Sequence, residues 1–282
     1  MFKDNISKIF LGLGVALCSM QASAYVITTG GQYATDGSGL TSSYVDSSNK
    51  LNPLDGYFIE TFDADTRMYG YDHISQDKSF NWSGLDATNP VSSGCGVNST
   101  ALISVTGNLG VKGDGTSNSH GVGAPPGGSD PLIGDKTCFG FTPGTGNSGS
   151  VTVDYGAFLS GLTVPAQIDY LGFYWGSIDT YNDFYFYDAQ DNLVAEILGT
   201  TLLAESGGQT GNQSSPLSNL YINIDFSSNE AFTKFTVVSN GVAGEFDNIV
   251  AGLTTRPVPV PAPLALLGLG LVALGWTRRK TA

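Results

Sequence analysis

An all-β fold, a single β-sandwich of jelly-roll type, is what this sequence predicts, and three observations predict it. Between residues 25 and 257, short runs alternate aromatic or β-branched side chains with polar ones, the period-2 signature of half-buried strands. The runs are bounded by Gly, Asn, Asp and Pro, which supply turn backbone, and the 282 residues include 38 Gly while only 13% are charged. No run of ten or more residues in this body keeps a helical period. An aromatic share of 11% gives the chain enough apolar surface to fold.

Nine strands are expected, at 56–62, 101–105, 150–155, 168–175, 183–188, 193–198, 220–226, 232–238 and 244–251. The fifth and sixth read as a hairpin, with FYFY at 184–187 and LVAEI at 193–197 joined by the turn-forming DAQDN. Short strands separated by turn signals are the pattern of a sandwich. Residues 107 to 149 loosen into Gly, Pro, Ser, Thr and Asn. That is too long for an ordinary connection, so a long Gly-rich loop is expected, either functional or a flexible insertion.

The two ends read differently from the body. Residues 1 to 24 carry Lys3 and Lys8, an apolar stretch at 9–20, and the small residues Ala22 and Ala24 around Ser23. A basic start, a short apolar segment and a small-x-small site make a signal peptide, a helix read by the Sec export machinery and cut by signal peptidase after Ala24. Cys18 follows Leu17 rather than a small residue, which argues against a lipidated N-terminus.

The last segment, 258 to 282, opens with Val258, Pro259, Pro261 and Pro263, continues with thirteen uncharged residues at 264–276, and ends on Arg278, Arg279 and Lys280. Prolines hold an extended spacer, so a short apolar helix begins only near Pro263. At about 1.5 Å per residue that helix spans roughly 20 Å, short of the roughly 30 Å hydrocarbon layer. Transient residence in a membrane is expected, a permanent single-span anchor being the alternative. The basic cluster orients the C-terminus to the cytoplasm and the body outside.

This tail, VPVPAPLALLGLGLVALGWTRRK, resembles the PEP-CTERM sorting signal of Gram-negative bacteria that make exopolysaccharide. The family pattern is a Pro-Glu-Pro-like motif, a short apolar helix and an Arg-rich end. Here Val260 and Ala262 stand between the prolines and the central Glu is absent. The resemblance implies recognition by an exosortase in the inner membrane, where the tail resides transiently, and it covers about 25 of the 282 residues. The motifs WGSIDTYN at 175–182 and EFDNI at 245–249 are similar to segments that recur in exosortase-dependent surface proteins, a class whose membership implies no particular reaction.

Charge narrows the partners. Residues 25 to 257 hold 7 basic and 24 acidic side chains, net −17. Such a body repels phosphate backbones, so nucleic acid is excluded as a partner. The acidity suits either a soluble surface or a cation. Glu60, Asp63 and Asp65 near the first strand and Asp247 in the last would hold calcium if those strands are neighbours, as in many jelly rolls; otherwise they are solvated turn carboxylates. The segment DGTSN at 114–118 lacks the terminal Glu of a true calcium loop.

Cys95 and Cys138 are the two cysteines left after the leader is removed. In an exported chain they are expected to form a disulfide, with free or intermolecular thiols as the alternative. In the densest motif, Tyr174, Trp175, Asp179, Tyr181 and Asn182 offer stacking rings and hydroxyl-binding groups for a sugar. The competing reading makes alternate aromatics core and Asp179 and Asn182 turn residues.

Catalytic signatures are sparse. The GTGNSG stretch at 144–149 is followed by a strand-like run rather than a helix, so it is a loop and not a dinucleotide site. His73 and His120 stand alone, which argues against a His-built zinc centre. No nucleophile elbow or phosphate loop occurs. The expectation is a non-catalytic surface or extracellular-matrix protein that binds exopolysaccharide. The alternatives are a secreted glycan-active hydrolase, since carboxylate pairs cannot be read from sequence, and a purely structural coat protein.

Overall fold

The computed structural model describes residues 25–49, 56–63, 95–97, 102–113, 123–128, 130–162 and 165–255. The cleavage site at Ala22 and Ala24, the tail residues Val258, Pro259, Pro261, Pro263, Arg278, Arg279 and Lys280, and also Asp65, His73, His120 and the 114–118 segment lie outside the described residues. Among the described residues no helix is long and apolar enough to cross a membrane.

The strands run in the order β1 (Val26–Thr29), β2 (Gln32–Tyr33), β3 (Leu40–Thr41), β4 (Tyr57–Glu60), β5 (Ser104–Gly107), β6 (Gly110–Gly113) and β7 (Cys138–Thr142). After these come β8 (Gly149–Asp154), β9 (Ala166–Gly176), β10 (Asn182–Tyr187), β11 (Leu193–Ile197), β12 (Leu220–Asp225), β13 (Lys234–Ser239) and β14 (Gly244–Thr255). Helix α1 (Gly156–Ser160) follows β8, and α2 (Gly199–Ser206) follows β11. Gly207 ends α2 in the left-handed conformation, φ +65°, its N–H reaching Ala204 O, the αL stop that glycine adopts without strain.

All the ladders are antiparallel and form an all-β sandwich. The larger sheet runs β1-β12-β9-β14-β7-β6, and the smaller one runs β11-β10-β13-β8-β5. Strand β14 is the axis of the larger sheet: β9 flanks one side, and β7 and then β4 share the other. The predicted hairpin is present as β10 and β11, with Phe184 opposite Ile197. Asp188 caps its turn by accepting the N–H groups of Gln190 and Asn192.

Alternation decides the faces. Phe173, Trp175 and Phe246 point from the larger sheet toward Phe184 of the smaller, with Phe173 and Phe184 stacked at 5.1 Å and Trp175 edge-on to Phe184 at 5.8 Å. A second cluster, Phe186, Phe226, Phe232 and Phe235, fills the other end of the same core. Beyond the area they bury, such ring pairs each add about 0.5–1.5 kcal/mol.

The stretch 107–149 is not a single loop. It contains β6 and β7, and β7 pairs directly with β14. Glycine is what admits these strands: a Cβ on Gly110 would meet the Phe141 ring at 2.2 Å, and one on Gly140 would meet the Phe62 ring at 2.4 Å. The β2–β3 hairpin and the 123–137 segment then fold over the outer face of the larger sheet. Tyr174 on that face donates its hydroxyl to Ile133 O at 2.6 Å, and Gln32 Nε2 ties the hairpin by donating to Ser42 O and Val45 O.

Candidate functional site

The two motifs that sequence set apart lie side by side. Along β9 and β14, Gly176 faces Glu245, Trp175 faces Phe246, and Tyr174 faces Asp247. After Asp247 the register slips, because three steps along β14 to Val250 match two along β9 to Gly172. That is a β-bulge, and Asn248 occupies it with φ +48°, a conformation asparagine tolerates better than most residues. The bulge falls where β14 changes partner from β7 to β4. It directs Asp247 and Asn248 to the outer face, beneath the covering loops.

Amides sew that cover down. Asn248 Nδ2 donates to Ser38 Oγ and Leu40 O, both at 2.8 Å, and Asn49 Nδ2 donates to Asp36 Oδ2 at 2.9 Å and Asn248 Oδ1 at 3.0 Å. Tyr221 donates its hydroxyl to Asn248 O at 3.0 Å. Asn219 pins the second segment: its Oδ1 accepts the N–H groups of Gly127 and Ser177, and its Nδ2 donates to Asn212 O and Ser215 O. Gly39 and Gly127, both at positive φ, pass so close to Tyr174 that a Cβ on either would lie 2.6 Å from it.

Carboxyls are buried within this seam. Glu245 accepts the Ala124 N–H at 3.1 Å and the Ser177 hydroxyl at 3.0 Å, and burial pushes its pKa up to about 8. Asp135 accepts the N–H and hydroxyl of Thr137 through Oδ1. Burial pushes its pKa up to about 7, with the Asp63 charge adding to the rise. Asp247 is completely buried and held well above the usual carboxylate range, first by desolvation and then by Asp135, Asp63 and Asp36. Among the described residues the Lys234–Asp191 ion pair lies on the other sheet, and no Lys or Arg pairs with Asp135 or Asp247.

The expected sugar platform is not a surface. Tyr174, Trp175 and Asn182 are each 0% exposed, because core covers one face of β9 and the loops cover the other. Asp179 and Tyr181 are half-buried and engage each other, the Tyr181 hydroxyl donating to Asp179 Oδ2 at 2.5 Å. A sugar cannot reach the Trp175 ring without unfolding the sheet. Exposed aromatic surface occurs instead at Tyr44, which stacks on Tyr57 at 5.3 Å with both rings edge-on to Tyr170.

The expected calcium set divides. Glu60 sits on the core-facing side of β4 with Phe58, and both line an apolar crevice between the sheets; its Oε1 accepts the Phe62 N–H. Asp247 is on the opposite face of the sheet, so Glu60 cannot join it. Asp63 is near Asp247, and its Oδ1 accepts the Cys138 N–H at 2.9 Å. Asp135, absent from the expected set, stands beside Asp247. Sequence held no signal for that pairing, which the bulge and the covering loop create. Among the described residues no three His, Cys, Asp or Glu side chains already stand together at metal-binding spacing.

Cys95 and Cys138 form the expected disulfide, with Cα atoms 5.4 Å apart. It fastens the Cys95 segment, which bridges to Asp63, onto the start of β7. Compared with models of protein families and with curated proteins, the chain matches none.

Proposed function

We propose that this protein is exported, sorted at its C-terminus by an exosortase, and held at the cell surface or in an exopolysaccharide matrix as a non-catalytic β-sandwich. The observation that carries the export reading is the Cys95–Cys138 disulfide, since such bonds persist in oxidising compartments outside the cytoplasm. The proline-led, Arg-ended tail at 258–282 supports the sorting step, with Sec and signal peptidase acting first on residues 1–24. The seam motifs support a structural rather than catalytic role, because Glu245 and Asp247 are sealed under loops and no substrate reaches them. Matrix polysaccharide is met by the exposed Tyr44 and its stacked neighbour Tyr57, with Asp169 and Asp225 close enough to act on the Tyr57 hydroxyl.

Deleting 258–282, or changing Arg278, Arg279 and Lys280 to Ala, tests the proposal in the native cell. The expected result is an unprocessed or mislocalised chain, read as a shifted band on fractionation. Unchanged size and location would remove the sorting step.

A further inference from the structure

We propose that the outer face of the larger sheet carries a divalent-cation site of calcium type, built on the buried carboxyls of Asp135 and Asp247 and bordered by the side-chain oxygen of Asn49. The sorting reading plays no part in it. The site rests on oxygens that lack partners. Among the described residues, both carboxyl oxygens of Asp247, Oδ2 of Asp135 and Oδ1 of Asn49 are buried and accept no hydrogen bond. The Asn248 N–H lends Asp247 electrostatic help without meeting hydrogen-bond geometry.

The two carboxyls converge, and Asn49 borders them through Asn248. The Asp135 and Asp247 carboxyls lie close enough to share a hydrogen bond if a proton sits between them. Asn49 is joined to Asn248, the neighbour of Asp247, and to Asp36, whose charge acts on Asp247. Asp36 itself is committed, its Oδ1 to Ser38 and its Oδ2 to Asn49. It therefore adds negative field and rigidity more than ligation.

Two neighbouring buried carboxyls need something positive between them. A shared proton satisfies one contact and leaves the remaining oxygens without a donor. A calcium ion takes six to eight oxygen ligands in adaptable geometry, so one ion can serve the orphaned carboxyl oxygens of Asp135 and Asp247, with other oxygens and water completing the shell. The donors are all oxygen, with no His among the described residues and with Cys95 and Cys138 in the disulfide, which disfavours zinc. Magnesium demands stricter octahedral geometry and keeps its own waters, a poor match to a sealed seam. Asn49 and Asp135 come from loops, while Asp247 sits in the ladder opposite Tyr174 beside the bulge, so small loop shifts can close the carboxyls around an ion. Binding would then clamp the 31–49 and 123–137 covers to the sheet.

The test uses the purified full-length chain. Titration with calcium chloride after chelation should show about one ion per chain, with a Kd at or below about 1 mM, the range of extracellular modules. Excess calcium should raise Tm by roughly 5 to 10 °C over chelator, and magnesium should raise it less. Asp247→Asn and Asp135→Asn should each abolish the calcium response while leaving the chelated protein as stable as, or more stable than, the wild type. If Asp247→Asn fails to fold, Asp135→Asn and the wild-type titration still decide. Absence of calcium binding to the wild type, which would point to a shared proton, or a calcium response that survives in both variants, overturns the proposal.

Discussion

Replacing Trp175 by Ala is expected to destabilise the body by about 3 to 5 kcal/mol, the usual cost of deleting a large buried ring. Trp175 is 0% exposed and is enclosed by Phe173, Phe184 and Phe246 from both sheets. Its removal empties the junction between β9, β14 and β10 in the core between the sheets. Because whole domains are stable by only about 5 to 15 kcal/mol, the change removes about a fifth of that margin or more. Thermal melts and near-ultraviolet circular dichroism check it. Tyr44→Ala is the matched control: this side chain is 52% exposed, so stability should stay within about 0.5 kcal/mol while retention on matrix polysaccharide falls. A Trp175→Ala protein of unchanged stability that had lost sugar binding would restore the surface-platform reading.

Breaking the disulfide is the second large effect. The bond spans a sequence separation of 43, and loop-closure entropy for that length corresponds to about 4 kcal/mol of stabilisation. For a body of this size the matching fall in Tm is roughly 8 to 16 °C. The Cys95→Ser, Cys138→Ser double variant should show it without reductant, and the wild type should converge on the same Tm when reduced. The loss should be felt first at β6 and β7, since Gly113 pairs with Cys138 and a Cβ there would lie 3.0 Å from Cys95 Sγ. Equal melting temperatures for oxidised and reduced protein would mean that the bond constrains nothing.

The sandwich was legible wherever one face of a strand met core and the other met water. In β10 the burial of Asn182, Phe184 and Phe186 alternates with partly exposed Asp183, Tyr185 and Tyr187, the pattern the sequence displays directly. Strand β9 was found but its chemistry was misplaced. Its run LGFYW is apolar on both sides because loops cover the second face, and a continuous apolar run is the mark of a strand buried twice. Strands β6 and β7 were hidden by their glycines, which lower strand propensity but here make room for Phe141 and Phe62. The CFGFT alternation of β7 was the available signal. Strand β1, VITT, was overlooked as a short edge with little burial.

The seam was half legible. EFDNI marked Asp247, and its acidity suggested a cation. Glu60 was drawn in by its position near the first strand, but strand parity puts it in the core-facing crevice with Phe58. Asp135 reaches Asp247 only because the 123–137 segment folds back over a bulge that linear spacing does not reveal.

Mass spectrometry of the mature protein from its native cells, read at both termini and without reduction, tests the central claim most directly. The prediction is a chain that begins at Tyr25, lacks residues beyond about 258, and keeps Cys95 joined to Cys138. A chain that runs from Met1 to Ala282 with free thiols would contradict both export and sorting.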